Sequence, residues 1–337
     1  MSGVHVPAIL VSLLPVALFL AALMYMDGYR LVRGRAVAAA LAAGVLAALA
    51  AMAVNRWILE GGVDERTYSR YGAPLVEELC KSAYLLYLLR ARRIGFAVDA
   101  AIFGFTIGTG FAFVENITYL VELPSENVLL WAVRGFGTAL MHGGATAMYA
   151  VIAREVQESR PARLPWAILG GFLVAYAVHS GYNHFFFSPV VSALLTVVGV
   201  PLAMTVVYRH SEQSTQSWLG VGFDTDRELY TLISTGTLAE NNVGKYLHSL
   251  QESFPPTVVA DMLCYLRTYA ELAIGAKGLV MMREAGLEIP PDPSVPDKLK
   301  ELDYLRKSIG RTGLLALSPF VHTRSSDEWQ LEMLKQG

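Results

Sequence analysis

Residues 97–120 read AVDAAIFGFTIGTGFAFVENITYL, 24 positions in which only Asp99 and Glu115 carry a charge. At a rise of ~1.5 Å per residue, such a run wound as a helix crosses a hydrocarbon core of ~30 Å. Six more runs of this kind surround it, near 6–26, 36–57, 73–90, 128–152, 166–187 and 189–208. The first lacks a basic leader and a small-x-small cleavage site, so it reads as an anchor rather than a signal peptide. Charge is distributed to match. The 337-residue chain is 54% hydrophobic and 17% charged, and residues 1–210 hold 27 charged side chains, mostly in short clusters between the runs. The expected fold class is all-α: a polytopic bundle of about seven transmembrane helices, followed by a C-terminal soluble helical domain. The expected domains are a transmembrane domain over 1–210, a Ser/Gln/Thr linker over 211–217, and a cytoplasmic helical domain over 218–337.

The loops set the expected orientation. Arg30, Arg33 and Arg35 fall in the first, Arg90, Arg92 and Arg93 in the third, and Arg154, Arg160 and Arg163 in the fifth, while the last run ends at Arg209. The fourth loop, 121–127, holds Glu122 and Glu126 and no basic residue; the turn at Ser188-Pro189 has no charge, and loop 58–72 is mixed. Basic residues stay cytoplasmic. The N-terminus is therefore expected outside and the C-terminal domain in the cytoplasm of a bacterial-type inner membrane. A net charge of −2 argues against a nucleic-acid partner. With only Cys80 and Cys264 present, a disulfide framework is not expected.

The C-terminal domain reads as helices near 225–235, 239–253, 256–287, 297–310 and 326–335, punctuated by Pro255-Pro256 and by Pro290-Pro291-Asp292-Pro293. Leu263, Leu266, Tyr269, Leu272 and Leu279 recur near helical spacing and read as its core. It has no zinc spacing, phosphate loop or nucleophile motif, and it reads as a regulatory or assembly module.

Ionisable groups inside a membrane are costly, ~2.5–3.5 kcal/mol each on insertion scales, and point to function. Asp99 is expected to pair with the inner arginines, Arg134 to snorkel or pair with an acid, and His184 to sit near the boundary. The others share a depth. Given the alternation of spans, Glu77, Glu78, Glu115, His179 and the amide of Asn183 fall in the outer half of three helices, and His142 falls near the middle of a fourth. Glu77 and Lys81 are four apart, suited to an ion pair on one face. His179 and Asn183 are also four apart. Gly104, Gly108 and Gly110 suit close helix packing. Carboxylates and imidazoles in one layer can activate water, stabilise an oxyanion or bind zinc, which is peptidase chemistry. A proton-coupled transporter, for which no internal repeat is visible, and a non-catalytic receptor or scaffold joined by a polar network stay open.

Four motifs in order on separate spans carry a resemblance. Glu77-Glu78-x-x-Lys81, then Phe111-Ala-Phe-Val-Glu115-Asn116 with Tyr119, then His142, then His179-Ser-Gly-Tyr-Asn183 together resemble the PrsW family of intramembrane proteases, relatives of the CAAX prenyl proteases. The likeness covers roughly 70–208; Asp99 is followed by Ala100 where the family has glycine. The resemblance implies an endopeptidase acting on a membrane-anchored protein substrate in the lipid bilayer, in the manner of site-one cleavage of an anti-sigma factor. It implies Glu77 or Glu78 as the base, with Glu78 equally suited to orienting, and Lys81 in support. Glu115 and His142 would complete a water or metal site, and His179 and Asn183 would stabilise the oxyanion. The metal set implied is Glu78, Glu115, His142 and His179, with zinc as the ion. The family has been classed with metalloproteases, whereas its relatives can be read as glutamate proteases without obligatory metal. A homo-oligomer is left open.

Overall fold

The computed structural model describes residues 6–123, 127–159, 163–287, 290, 292–321 and 325–335. Glu126 and Arg160, two of the loop charges, and Pro291 lie outside them. All regular structure among the described residues is helical. The chain forms two compact units, Met1–Ser211 and Glu212–Gly337.

In the first unit, α1 (Val6–Met26) and α2 (Gly34–Glu60) are followed by a short α3 (Glu65–Thr67), whose first turn is capped by Asp64 accepting from Thr67 N at 2.8 Å. A π-helical turn, Tyr68–Gly72, leads without a break into α4 (Ala73–Arg90). Then come α5 (Ala97–Glu122), α6 (Val128–Ala132), a second π-helical turn at Val133–Ala139, α7 (Leu140–Ser159), α8 (Leu164–Asn183) and α9 (Pro189–Ser234), whose residues from Glu212 on belong to the second unit. The expected fifth span, 128–152, is therefore not one regular helix but α6 and α7 joined through a π turn.

Among the described residues, five helices are long and apolar enough to cross a membrane: α1, α2, α5, α8 and α9. The two remaining expected spans, α4 and the α6–α7 pair, fall short of that measure for identifiable reasons. α4 carries Glu77, Glu78, Lys81 and Arg90 within 18 residues; the other is interrupted by its π turn, and its longer piece, the 20-residue α7, holds His142, Arg154, Glu155 and Glu158.

Helix α5 is the centre of this unit, buried along most of its length between α2 and α7. Its small residues permit that. A Cβ on Gly108 would strike the backbone of His142 and Gly143 in α7, and one on Gly110 would strike the backbone of Leu41 in α2. Side chains then fill the space between helices: Leu85, Leu88 and Leu89 of α4, Phe103 and Ile107 of α5, Tyr149 of α7 and Ala175 of α8 form one buried cluster. Among the described residues, Asp99 takes its hydrogen bonds from backbone N–H groups and not from a guanidinium. Its Oδ2 accepts from Gly95 N at 2.9 Å and Phe96 N at 3.2 Å, satisfying the free N–H groups at the start of α5. Arg154 donates to the carbonyl of Gly95 instead.

Residues 211–217, expected as a linker, are helical and lie within α9. Their composition is polar, but it contains no glycine or proline to stop a helix, and Gln216 bonds Glu212 one turn back at 3.4 Å. The second unit continues with α10 (Asn242–Ser249), α11 (Pro256–Glu284), α12 (Val295–Leu317, kinked at Gly310, φ +70°) and α13 (Ser325–Lys335). Leu266, Tyr269 and Leu272 of α11 pack with Leu302, Leu305 and Ile309 of α12 in its core, while Leu263 and Leu279 are only partly buried. A buried Lys277–Asp226 ion pair of 2.5 Å ties α11 to the end of α9.

Candidate active site

Pro74 stands in the first turn of α4, where the helix is continuous with the π turn, so the N–H it lacks leaves a carbonyl of that turn without a helical donor, and Glu77 and Glu78 follow one turn on. Glu78 is wholly buried. Its Oε1 accepts from Lys81 Nζ at 2.5 Å and lies 2.8 Å from His179 Nδ1. Lys81 thus pairs with Glu78, three residues away, and not with Glu77 as the four-residue spacing suggests. A carboxylate only accepts, so Nδ1 of His179 carries the ring proton and Nε2 presents its lone pair. That Nε2 lies 3.6 Å from Glu77 Oε2.

The same logic fixes the second histidine. Lys81 Nζ is 3.2 Å from His142 Nδ1. An ammonium only donates, so Nδ1 accepts and Nε2 holds the proton, which is given to Glu115 Oε2 at 2.8 Å. The two imidazoles meet edge to face, centroids 4.6 Å apart. Beyond Glu115 lies Arg134, contributed by the second π turn. Its Nη2 is 3.3 Å from Glu115 Oε1, its Nε donates to Asn116 Oδ1 at 3.0 Å, and its guanidinium lies 3.6 Å from the centroid of Tyr119. Of the two fates expected for Arg134, pairing with an acid is the one observed.

Five of the sequence-derived residues, Glu77, Glu78, Glu115, His142 and His179, are therefore brought into one cluster with Lys81. Asn183 is turned elsewhere. Its Nδ2 donates to Ser69 O at 3.0 Å, and Ser180 Oγ beside it donates to Arg70 O at 2.7 Å. The first π turn leaves these carbonyls available, and the end of α8 supplies donors to them. Sequence reasoning passed over Asn55 in α2 and Tyr68, which reach Glu77 from behind: Tyr68 Oη donates to Asn55 Oδ1 at 2.8 Å and Asn55 Nδ2 to Glu77 Oε1 at 3.2 Å. Asn55 is an amide near the end of an alanine-rich run, where a polar residue attracts no notice.

Residues 28–209 match the family model described as PrsW family intramembrane metalloprotease. The chain belongs to the PrsW family. It is accordingly a multi-pass membrane enzyme, a protease acting on membrane protein substrates. Neither a curated protein nor a solved structure matches the chain.

The metal that the PrsW family implies can be tested against the residues present. Ligand atoms of Glu77, His142 and His179 all lie within 4.8 Å of one another. The three carboxylates face the two cations Lys81 and Arg134, which leaves the ionised cluster one negative charge in excess. Glu78 Oε2 is buried without a hydrogen-bond partner among the described residues. Imidazole nitrogens with carboxylate oxygens, an excess negative charge and an unsatisfied buried oxygen suit a divalent metal ion. The converging trio differs from the expected metal set: Glu77 stands in it, and Glu78 and Glu115 back the two histidines.

Proposed function

We propose that this PrsW protein hydrolyses peptide bonds of a membrane-anchored, anti-sigma-factor-like signalling protein at the Glu77, Glu78, Glu115, His142, His179 cluster. The observation that carries this reading is the convergence of Glu77, His142 and His179 on one small space, with a second carboxylate behind each histidine. Glu77 and His179 would hold the ion through a carboxylate oxygen and the free Nε2, and His142 would join them through Nδ1 by giving up its hydrogen bond from Lys81; zinc is the ion that this donor set suits. Bound there, zinc supplies Lewis-acid chemistry, polarising a carbonyl and easing the deprotonation of water.

The chain's own residues divide the remaining work. Glu77 is the general base, a role in which its Oε2 would leave the ion. It is the more exposed of the adjacent acids, 14% against 0% for Glu78, and its Oε2 is the oxygen turned toward His179. It takes a proton from water as the oxygen attacks the peptide carbonyl carbon, and passes that proton to the departing amine nitrogen as the C–N bond breaks. Glu78 fixes the tautomer and direction of His179, and Glu115 does so for His142. Lys81 bridges the two halves. Asn183, whose amide serves Ser69, takes no part in this step. The substrate segment would be received by an apolar cleft of about 490 Å³ between α7, α8 and α9, lined by Met141, Gly144, Tyr182 and Val200, next in sequence to the helix positions of His142 and His179.

The orientation proposed is that of the arginine asymmetry: N-terminus outside, cluster in the outer half of the membrane, and residues 218–337 in the cytoplasm as a regulatory or assembly module. The test is cleavage of single-span candidate substrates by the purified protein in detergent, with metal content measured on the same sample. Glu77→Gln and His179→Ala should each abolish cleavage; wild-type rates from both would overturn the reading.

A further inference from the structure

Glu77 is held from a direction that the four motifs do not include. Tyr68 is buried in the π turn before α4, and Asn55 is half-buried on α2. Their hydrogen bonds run in one sense only. A phenol hydroxyl donates to the Asn55 carbonyl oxygen, and the Asn55 amide then donates to a carboxylate, which can only accept. Turning the amide over would set its carbonyl against Glu77 Oε1, acceptor against acceptor. With Oε1 so held, the other oxygen of Glu77 faces His179 Nε2. A second observation shows that the place of the tyrosine ring is built in. A Cβ on Gly72 would run into the Tyr68 ring, so the glycine that ends the π turn leaves room for it.

We propose that Asn55 is a positioning residue for Glu77, with Tyr68 setting the orientation of its amide. The inference rests on the reading of Glu77 as base and metal donor. A partner behind a ligating carboxylate limits its rotation, and loss of such a partner typically costs about 10- to 100-fold in metal affinity or activity.

The experiment compares the full-length protein in detergent with Asn55→Leu, Tyr68→Phe, the double variant and Glu77→Gln. Zinc alone is titrated in competition with a chromophoric chelator, melting temperature is read on the metal-free protein, and kcat and KM are measured on one cleaved single-span substrate. Asn55→Leu, which keeps the shape and removes both hydrogen bonds, should weaken zinc binding and lower kcat by about 10- to 100-fold with KM little changed. Tyr68→Phe should do the same more weakly, and adding it to Asn55→Leu should cost nothing further, since both act through one chain. A merely structural role would lower melting temperature and leave zinc affinity and kcat alone. The inference is overturned if Asn55→Leu and Tyr68→Phe both keep wild-type zinc affinity and kcat while Glu77→Gln loses them. If Glu77→Gln also keeps them, the active-site reading itself fails. Should Asn55→Leu not fold, Tyr68→Phe decides, because its ring still fills the same space; should the wild type hold no zinc, kcat decides alone.

Discussion

Glu77 and Glu78 are neighbours in sequence, but a helix turns them about 100° apart and the fold gives them different surroundings. Glu78 is enclosed and bonded to Lys81 and His179, whereas Glu77 keeps one oxygen for Asn55 and one for the space between the histidines. Glu78→Gln keeps the volume and an acceptor for Lys81 but removes the charge that orients His179. We expect cleavage to fall by at least about 10²-fold with folded protein recovered in near wild-type yield, checked by kcat and by elution profile. Outside the spans, Asp27 follows α1, accepts from Val32 N at 3.1 Å, and is pushed above the usual carboxylate range by burial. A pKa raised on folding contributes stability that is complete below the unfolded value and is lost as pH rises through the folded one. Melting temperature in detergent should therefore decline over that interval, and Asp27→Asn, which keeps the acceptor, should flatten the decline. At this scale the acids and histidines were legible because charge in an apolar run is expensive. Asn55 was not, since an amide near a span end costs little wherever it points.

Two of the four helices that bear the cluster are entered through π turns. Tyr68–Gly72 runs into the helix of Glu77 and Glu78, and Val133–Ala139 supplies Arg134 and runs into the helix of His142. Turns of this kind recur at functional sites because the extra residue re-aims the side chains that follow. Periodicity in the sequence did not distinguish them from continuous helix, since the same apolar residues suit either winding over so short a length. The glycine spacing of α5 was legible as close packing, but only the fold showed that Gly108 lies against the backbone of His142 itself. Gly108→Ala should destabilise the protein by about 1–3 kcal/mol and lower kcat by displacing His142. Gly170→Ala in α8, where a Cβ meets nothing within 4 Å, should leave both melting temperature and kcat at or above wild type. A Gly108→Ala protein as stable and active as wild type would show that α7 can shift without moving the imidazole.

For the whole molecule, the proposed orientation puts Leu123, exposed after α5, on the outer side and the exposed native Cys264 in the cytoplasm. With Cys80 replaced by serine, an impermeant thiol reagent should reach Leu123→Cys from outside intact cells and Cys264 only after lysis; labelling of both from one side would overturn the topology. Removal of 218–337 should leave some cleavage, altered in regulation, provided the shortened protein still elutes as folded; a folded but inert truncation would count against a regulatory role. What the sequence by itself determined is the helical class, the membrane location and which ionisable residues stand inside apolar runs, because each follows from local cost: apolar length against bilayer thickness, and charge against hydrocarbon. Which atoms meet was decided only by the tertiary structure. Lys81 could satisfy either glutamate by spacing, and it takes Glu78 because His142 and His179 arrive from α7 and α8 to share the two of them. Asn183 could have faced the cluster by the same spacing argument, and it faces Ser69 because a π turn leaves that carbonyl within its reach. Each of these choices is a competition between partners on different helices, and a one-dimensional pattern carries no distances between them.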